Sequence, residues 1–77
     1  MHELENFIDY VNKNHSVISM EQSVSFWNEN LINVSVFKKG NYWTEVFSFW
    51  KCDIEKKWND IETEICGRVR IIFNEEL

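Results

Sequence analysis

The chain has 77 residues, of which 44% are hydrophobic and 16% aromatic, with a formal net charge of −5. This hydrophobic content excludes an intrinsically disordered chain, and the length predicts a single domain over residues 1–77. The excess of acidic residues argues against direct binding to nucleic acid, because such binding needs cationic side chains to neutralise phosphates.

The first predicted element is an amphipathic helix over residues 2–13. Acidic residues in its first turn suit the positive end of the helix dipole. Its apolar residues follow the helical spacing of three and four positions: Leu4, Phe7, Ile8 and Val11.

Residues 16–30 allow two interpretations. A capping box beginning at Ser19 would open a short helix that uses Met20, Val24 and Trp27. Alternating residues and few helix formers instead favour a strand at about 22–27, followed by a hairpin loop at 28–30. We prefer the strand, which gives a three-stranded meander, and keep the helix as the alternative.

Residues 31–50 predict a long antiparallel hairpin. A two-residue loop of Gly40 and Asn41, with the glycine at its first central position, pairs Val34 with Phe47 and Ile32 with Phe49. This register puts the large apolar residues of one side opposite each other. We call that side the first face; its members are Ile32, Val34, Val36, Trp43, Glu45, Phe47 and Phe49. We expect Lys38 and Lys39, at the tip, to be solvated.

The last predicted elements are a helix over 53–66 and a strand over 68–73. Asp53 is a suitable N-cap, Gly67 a suitable stop, and apolar residues form a stripe between them: Ile54, Trp58, Ile61 and Ile65. The predicted fold is therefore α+β, with a mainly antiparallel sheet of three to four strands, two helices and the order α-β-β-β-α-β.

Candidate chemistry is sparse. Cys52 and Cys66 lie 14 residues apart at the two ends of the predicted helix, about 21 Å from each other, which is too far for a disulfide. They and the two histidines, His2 and His15, lack the close ligand spacing of a zinc site. We therefore expect no cofactor, no metal and no catalytic residues. A small thiol enzyme is the least favoured alternative.

The opposite side of the hairpin, the second face, carries the functional prediction. Phe37, Tyr42, Val46 and Trp50 stand there among small polar residues, and aromatic residues of this kind often anchor protein interfaces. Packing of a second helix on this face, or scattered surface apolar residues, are equally weighted explanations. Glu55, Glu62 and Glu64 would steer the protein onto a basic surface.

We thus expect a small acidic inhibitor that blocks a protein with a basic nucleic-acid-binding surface. The absence of Ala and Pro and the scarcity of Gly indicate an AT-rich genome. Such domains are often phage inhibitors of host defence, anti-CRISPR proteins included. An immunity protein against a toxin and a self-associating accessory subunit, including a homodimer, are alternatives. With no membrane-spanning run and no signal peptide in the sequence, we expect a cytoplasmic location in a bacterial host.

Overall fold

The structure is a computed structural model that describes residues 2–77. Six elements follow one another along the chain. They are α1 (His2–Asn14), β1 (Ile18–Val24), β2 (Leu31–Lys38), β3 (Thr44–Trp50), α2 (Lys51–Lys56) and α3 (Trp58–Phe73). The three strands form one antiparallel sheet in the order β1-β2-β3. The α+β class is confirmed.

The predicted first helix is confirmed as α1. Leu4, Ile8 and Val11 are buried, so one stripe of the helix faces the core. Phe7 is half-buried and packs edge-on against Trp58 of α3, with ring centroids 5.6 Å apart.

The predicted register of the central hairpin is confirmed. Ile32 pairs with Phe49, Val34 with Phe47 and Val36 with Glu45. The turn differs from the prediction. The Asn41 N–H donates to the Lys38 carbonyl at 3.0 Å, so Gly40, at φ 84°, occupies the second central position instead of the first. Glycine is suited to this left-handed conformation because it has no Cβ.

The preferred interpretation of residues 16–30, a strand in a meander, is also confirmed. The strand spans residues 18–24 instead of 22–27, and no helix opens at Ser19. Ile18 and Met20 are buried, while Ser19 and Glu21, which alternate with them, are exposed. Period-two burial of this kind is what a sheet with one covered face requires, and it outweighs the capping signal.

The predicted C-terminal strand at 68–73 is wrong, because these residues are the last turns of α3. Gly67 does not stop the helix, which ends at Asn74, where φ is 55° and the N–H donates to the Arg70 carbonyl. The predicted helix at 53–66 is interrupted at Lys57, which has non-helical backbone angles. Asp53 lies inside α2 instead of capping it.

All three helices cover the first face of the sheet. A single core joins its residues to the buried stripes of the helices, including Ile54 of α2 and Ile61, Ile65, Val69 and Phe73 of α3. Two polar ties hold α3 in place: Arg68 lies 3.7 Å from the Glu45 carboxylate, and Lys38 Nζ donates to the Phe73 carbonyl at 2.9 Å. Lys38 is therefore a helix cap, not only a solvated residue at the hairpin tip.

Candidate functional site

The second face of the sheet has no buried residue. The alternative explanation, that a second helix packs there, is wrong, since the helices share their core with the first face alone. Alternation places on this face the following side chains: Ser19, Glu21, Ser23, Leu31, Asn33, Ser35, Phe37, Thr44, Val46, Ser48 and Trp50.

Apolar side chains of the second face lie towards its two ends. Leu31 pairs with Trp50 at one end, and Phe37 pairs with Thr44 at the other. Trp50 is 47% exposed and Phe37 is half-buried between the flanking strands. The middle is polar, apart from Val46. This arrangement separates two apolar contact points by a row of small hydrogen-bonding groups.

The polar middle is internally ordered. Ser48 Oγ donates to Asn33 Oδ1 at 2.7 Å across the β2–β3 pair. Val46, which is 55% exposed, lies opposite Ser35. Short hydroxyl and amide side chains let a partner approach the sheet closely and still find hydrogen-bond groups.

Tyr42 lies outside the strands, in the loop between β2 and β3. Its side chain is fully exposed, and nothing within the described residues covers it. The loop is held by the Trp43 N–H, which donates to Asn41 Oδ1 at 2.8 Å. Trp43 is exposed as well, so two aromatic rings project at this end of the hairpin. The predicted residues Phe37 and Tyr42 thus belong to the same end of the molecule.

A further aromatic pair was missed by the sequence analysis. Phe26 and Trp27, in the loop between β1 and β2, are 91% and 88% exposed, and their rings meet edge-to-face at 5.3 Å. Ser25 Oγ accepts the Trp27 N–H at 3.2 Å, which forms a local turn. Two adjacent aromatics cannot both point into a core from a strand, and this is the signal that could have identified them.

The three predicted carboxylates do not lie together. Glu55 lines a small cleft beside Trp50, together with Asn30, Lys51 and Cys52. Glu62 instead lines a groove between α1 and α3, and Glu64 is exposed on α3. Only Glu55 is therefore positioned to act with the aromatic residues of the second face.

The α1–α3 groove is an open, largely apolar concavity with a volume of about 620 Å³. Phe7, Tyr10, Trp58 and Cys66 are among the residues that line it. Burial, and to a smaller extent the nearby Glu62 carboxylate, raise the pKa of the Cys66 thiol. A raised pKa keeps the thiol protonated near neutral pH, which makes it a poor nucleophile.

Both cysteines are free thiols, and they lie on different helices. Across residues 2–77, no three His, Cys, Asp or Glu side chains come together in a group that could hold a metal ion. None of the helices in the same range has the length and apolar character needed to cross a membrane.

Comparisons of the chain with protein-family models, with curated proteins and with solved structures find no match.

Proposed function

We propose that this protein is a non-enzymatic inhibitor that binds another macromolecule through the second face of its sheet and blocks it. The supporting observation is an uncovered sheet face with aromatic residues at both ends. Trp50 and Tyr42 are the anchors, assisted by Val46 and Phe37. Large rings that keep few rotatable bonds lose little conformational entropy on binding, so they contribute more affinity than other exposed side chains.

The charge of the protein supports a basic partner. The net charge is −5; Glu55 lines the cleft beside the anchor Trp50, and Glu21 lies on the second face itself. Carboxylates around a desolvated aromatic patch accelerate association with a positive surface and reject negative ones. A protein surface that normally holds nucleic acid has the required charge.

Within this class we propose an inhibitor of the anti-defence kind, encoded by a phage. The size, the acidity and the composition without Ala or Pro support this proposal. Inhibition then requires no chemistry from the protein itself, because occupation of the basic surface excludes nucleic acid.

The test is capture of proteins from a nuclease-treated bacterial lysate on the immobilised domain, with quantification by mass spectrometry. We expect a nucleic-acid-binding protein to be retained and to be displaced by added duplex DNA or by RNA. Tyr42→Ala combined with Trp50→Ala should reduce its retention by at least tenfold. Tyr10→Ala is the matched control, because Tyr10 is also an exposed tyrosine but lies on α1.

Charge reversal gives a second comparison. Glu55→Lys and Glu64→Lys change the net charge equally, but only Glu55 adjoins Trp50. We expect Glu55→Lys to weaken capture more than Glu64→Lys. Equal retention by the double aromatic variant and by wild type, or a captured partner that nucleic acid does not displace, would overturn the proposal.

A further inference from the structure

The outer edge of β3 presents unpaired backbone groups. The Lys51 N–H donates to the Asn30 carbonyl at 2.9 Å, which fixes the alternation of the β2–β3 ladder. Odd-numbered residues of β3 therefore bond to β2, and even-numbered residues turn their N–H and C=O groups outward. The outward residues are Thr44, Val46, Ser48 and Trp50, and all four are exposed. Within residues 2–77 these outward groups have no hydrogen-bond partner, except the Trp50 carbonyl, which as the N-cap of α2 accepts the first bond of that helix.

The other edge of the sheet, at β1, is covered. Asn12 of α1 binds both backbone groups of Met20: its Nδ2 donates to the Met20 carbonyl at 2.9 Å, and its Oδ1 accepts the Met20 N–H at 2.8 Å. The Asn12 carboxamide thus takes the place of a neighbouring strand. One edge is blocked by a specific contact, and the other is left open.

β3 also has few of the usual devices that keep an open edge apart from other strands. Proteins normally place lysine, proline or a bulge there, or turn a charge inward. The sequence of β3 contains no lysine and no proline. Its one charged residue, Glu45, is turned inward onto the first face, but Arg68 partly neutralises this charge. The four outward residues carry no charge.

We propose that β3 pairs with β3 of a second copy of this chain, antiparallel and about a two-fold axis. The register that uses all four outward residues places Thr44 opposite Trp50 of the second copy and Val46 opposite Ser48 of the second copy. This pairing forms about six backbone hydrogen bonds: two in each of the two Val46–Ser48 pairs, and one in each Thr44–Trp50 pair, where the Trp50 N–H donates to the Thr44 carbonyl. It also brings Trp50 diagonally next to Val46 and Tyr42 of the second copy, within reach of its ring.

A second copy fits this edge because the resulting assembly closes. The joined sheet has six strands, three from each copy, and both of its outer edges are β1 strands blocked by Asn12. Growth therefore stops at two copies. A foreign strand would also pair with β3, but it would leave its own outer edge open, whereas a second copy ends the sheet at a covered β1.

The interface is small, so the dimer is weak. Stable interfaces bury about 1,200–2,000 Å² in total, and one strand pair with its flanking side chains lies at the low end, which corresponds to micromolar dissociation constants. The net charge of −5 on each copy opposes association at long range. Salt should therefore strengthen the dimer, whereas it should weaken binding to a basic partner.

The test is sedimentation equilibrium of the purified protein at about 5–500 μM, in low and in high salt. We expect a monomer–dimer equilibrium that shifts towards the dimer with salt. Val46→Lys should abolish association by placing ammonium groups close together at the shared edge. Ile71→Lys is the matched control, since Ile71 is 78% exposed on α3 and gains the same charge.

A second variant tests the backbone directly. Ser48→Pro removes an N–H that points outward and keeps every backbone bond to β2, at the loss of the exposed side-chain bond from Ser48 to Asn33. It should therefore prevent pairing while circular dichroism shows a folded domain. A wild-type monomer at 500 μM, unchanged association of Val46→Lys, or equal losses in Val46→Lys and Ile71→Lys would overturn the proposal. The measurement contains no other protein, so its failure leaves the proposed inhibitor function untouched.

Discussion

The contact between Asn12 and Met20 leads to a quantitative prediction for stability. Asn12→Ala removes two hydrogen bonds, of 2.8 and 2.9 Å, that hold α1 against the edge of β1. Each such bond contributes about 1 kcal/mol to the free energy of unfolding. Alanine recovers about 0.6 kcal/mol through its higher helix propensity. The expected net loss is therefore about 1.5 kcal/mol.

Thermal unfolding followed by circular dichroism measures this loss. In a domain of this size, 1 kcal/mol corresponds to roughly 4–8 °C in Tm, so Asn12→Ala should melt about 6–12 °C below wild type. Asn14→Ala is the control. Its side chain bonds only to the Tyr10 carbonyl within the same exposed helix, and its loss should stay within about 0.5 kcal/mol.

Hydrogen exchange gives a second measurement of the same contact. The Met20 amide should exchange faster in Asn12→Ala, because its only acceptor among the described residues is Asn12 Oδ1. A Tm of Asn12→Ala within about 2 °C of wild type would refute this role of the Asn12–Met20 contact. An equal loss of Tm in Asn14→Ala and Asn12→Ala would refute it as well.

Three further predictions concern α3 and the cysteines. Ile65→Ala should lower the free energy of unfolding in urea by about 2–5 kcal/mol, because Ile65 is fully buried. The free energy of unfolding of Ile71→Ala should stay within about 0.5 kcal/mol of wild type. Lys38→Met should lower the free energy of unfolding by about 1 kcal/mol, because it removes the cap of α3. A loss that is the same in 1 M salt would argue against a contribution from the charge of Lys38. Iodoacetamide at pH 7.5 should modify the exposed Cys52 well before Cys66, whose raised pKa leaves little thiolate until the pH rises above 9; equal rates by mass spectrometry would contradict this.

The middle of the fold could be predicted because several signals agree there. The register of the hairpin follows from matching apolar residues across β2 and β3, and a slip of one residue would have moved Val34 and Phe47 to opposite sides. Alternation and the scarcity of helix formers predict the strand at β1. They do not predict its start, because Met20 also fits the alternative helix that a capping box at Ser19 would open.

The C-terminal third could not be predicted correctly, because its sequence fits two periods. Val69, Ile71 and Phe73 alternate as in a strand. Val69 and Phe73 also continue the four-residue spacing of Ile61 and Ile65, and this second pattern is the one that α3 buries. Tertiary packing decides between the two patterns, and neither is stronger over six residues.

The candidate site was predictable only in part, for a related reason. Alternation assigns Phe37, Val46 and Trp50 to one face of the sheet, but it does not determine which face the helices cover. That outcome depends on how α1 and α3 pack, and it also separates Glu62 and Glu64 from Trp50. Tyr42 was placed correctly on an exposed surface, although it lies in a loop.

The separation of the sheet into a packed first face and an uncovered second face has a consequence for how this protein can evolve. Short polar side chains on the second face, such as those of Ser19, Ser23 and Ser35, contribute little to the core. Substitutions there change what the surface recognises at almost no cost in stability. The same property makes these positions suitable for randomisation in a display library, where selection could redirect this small scaffold to new targets.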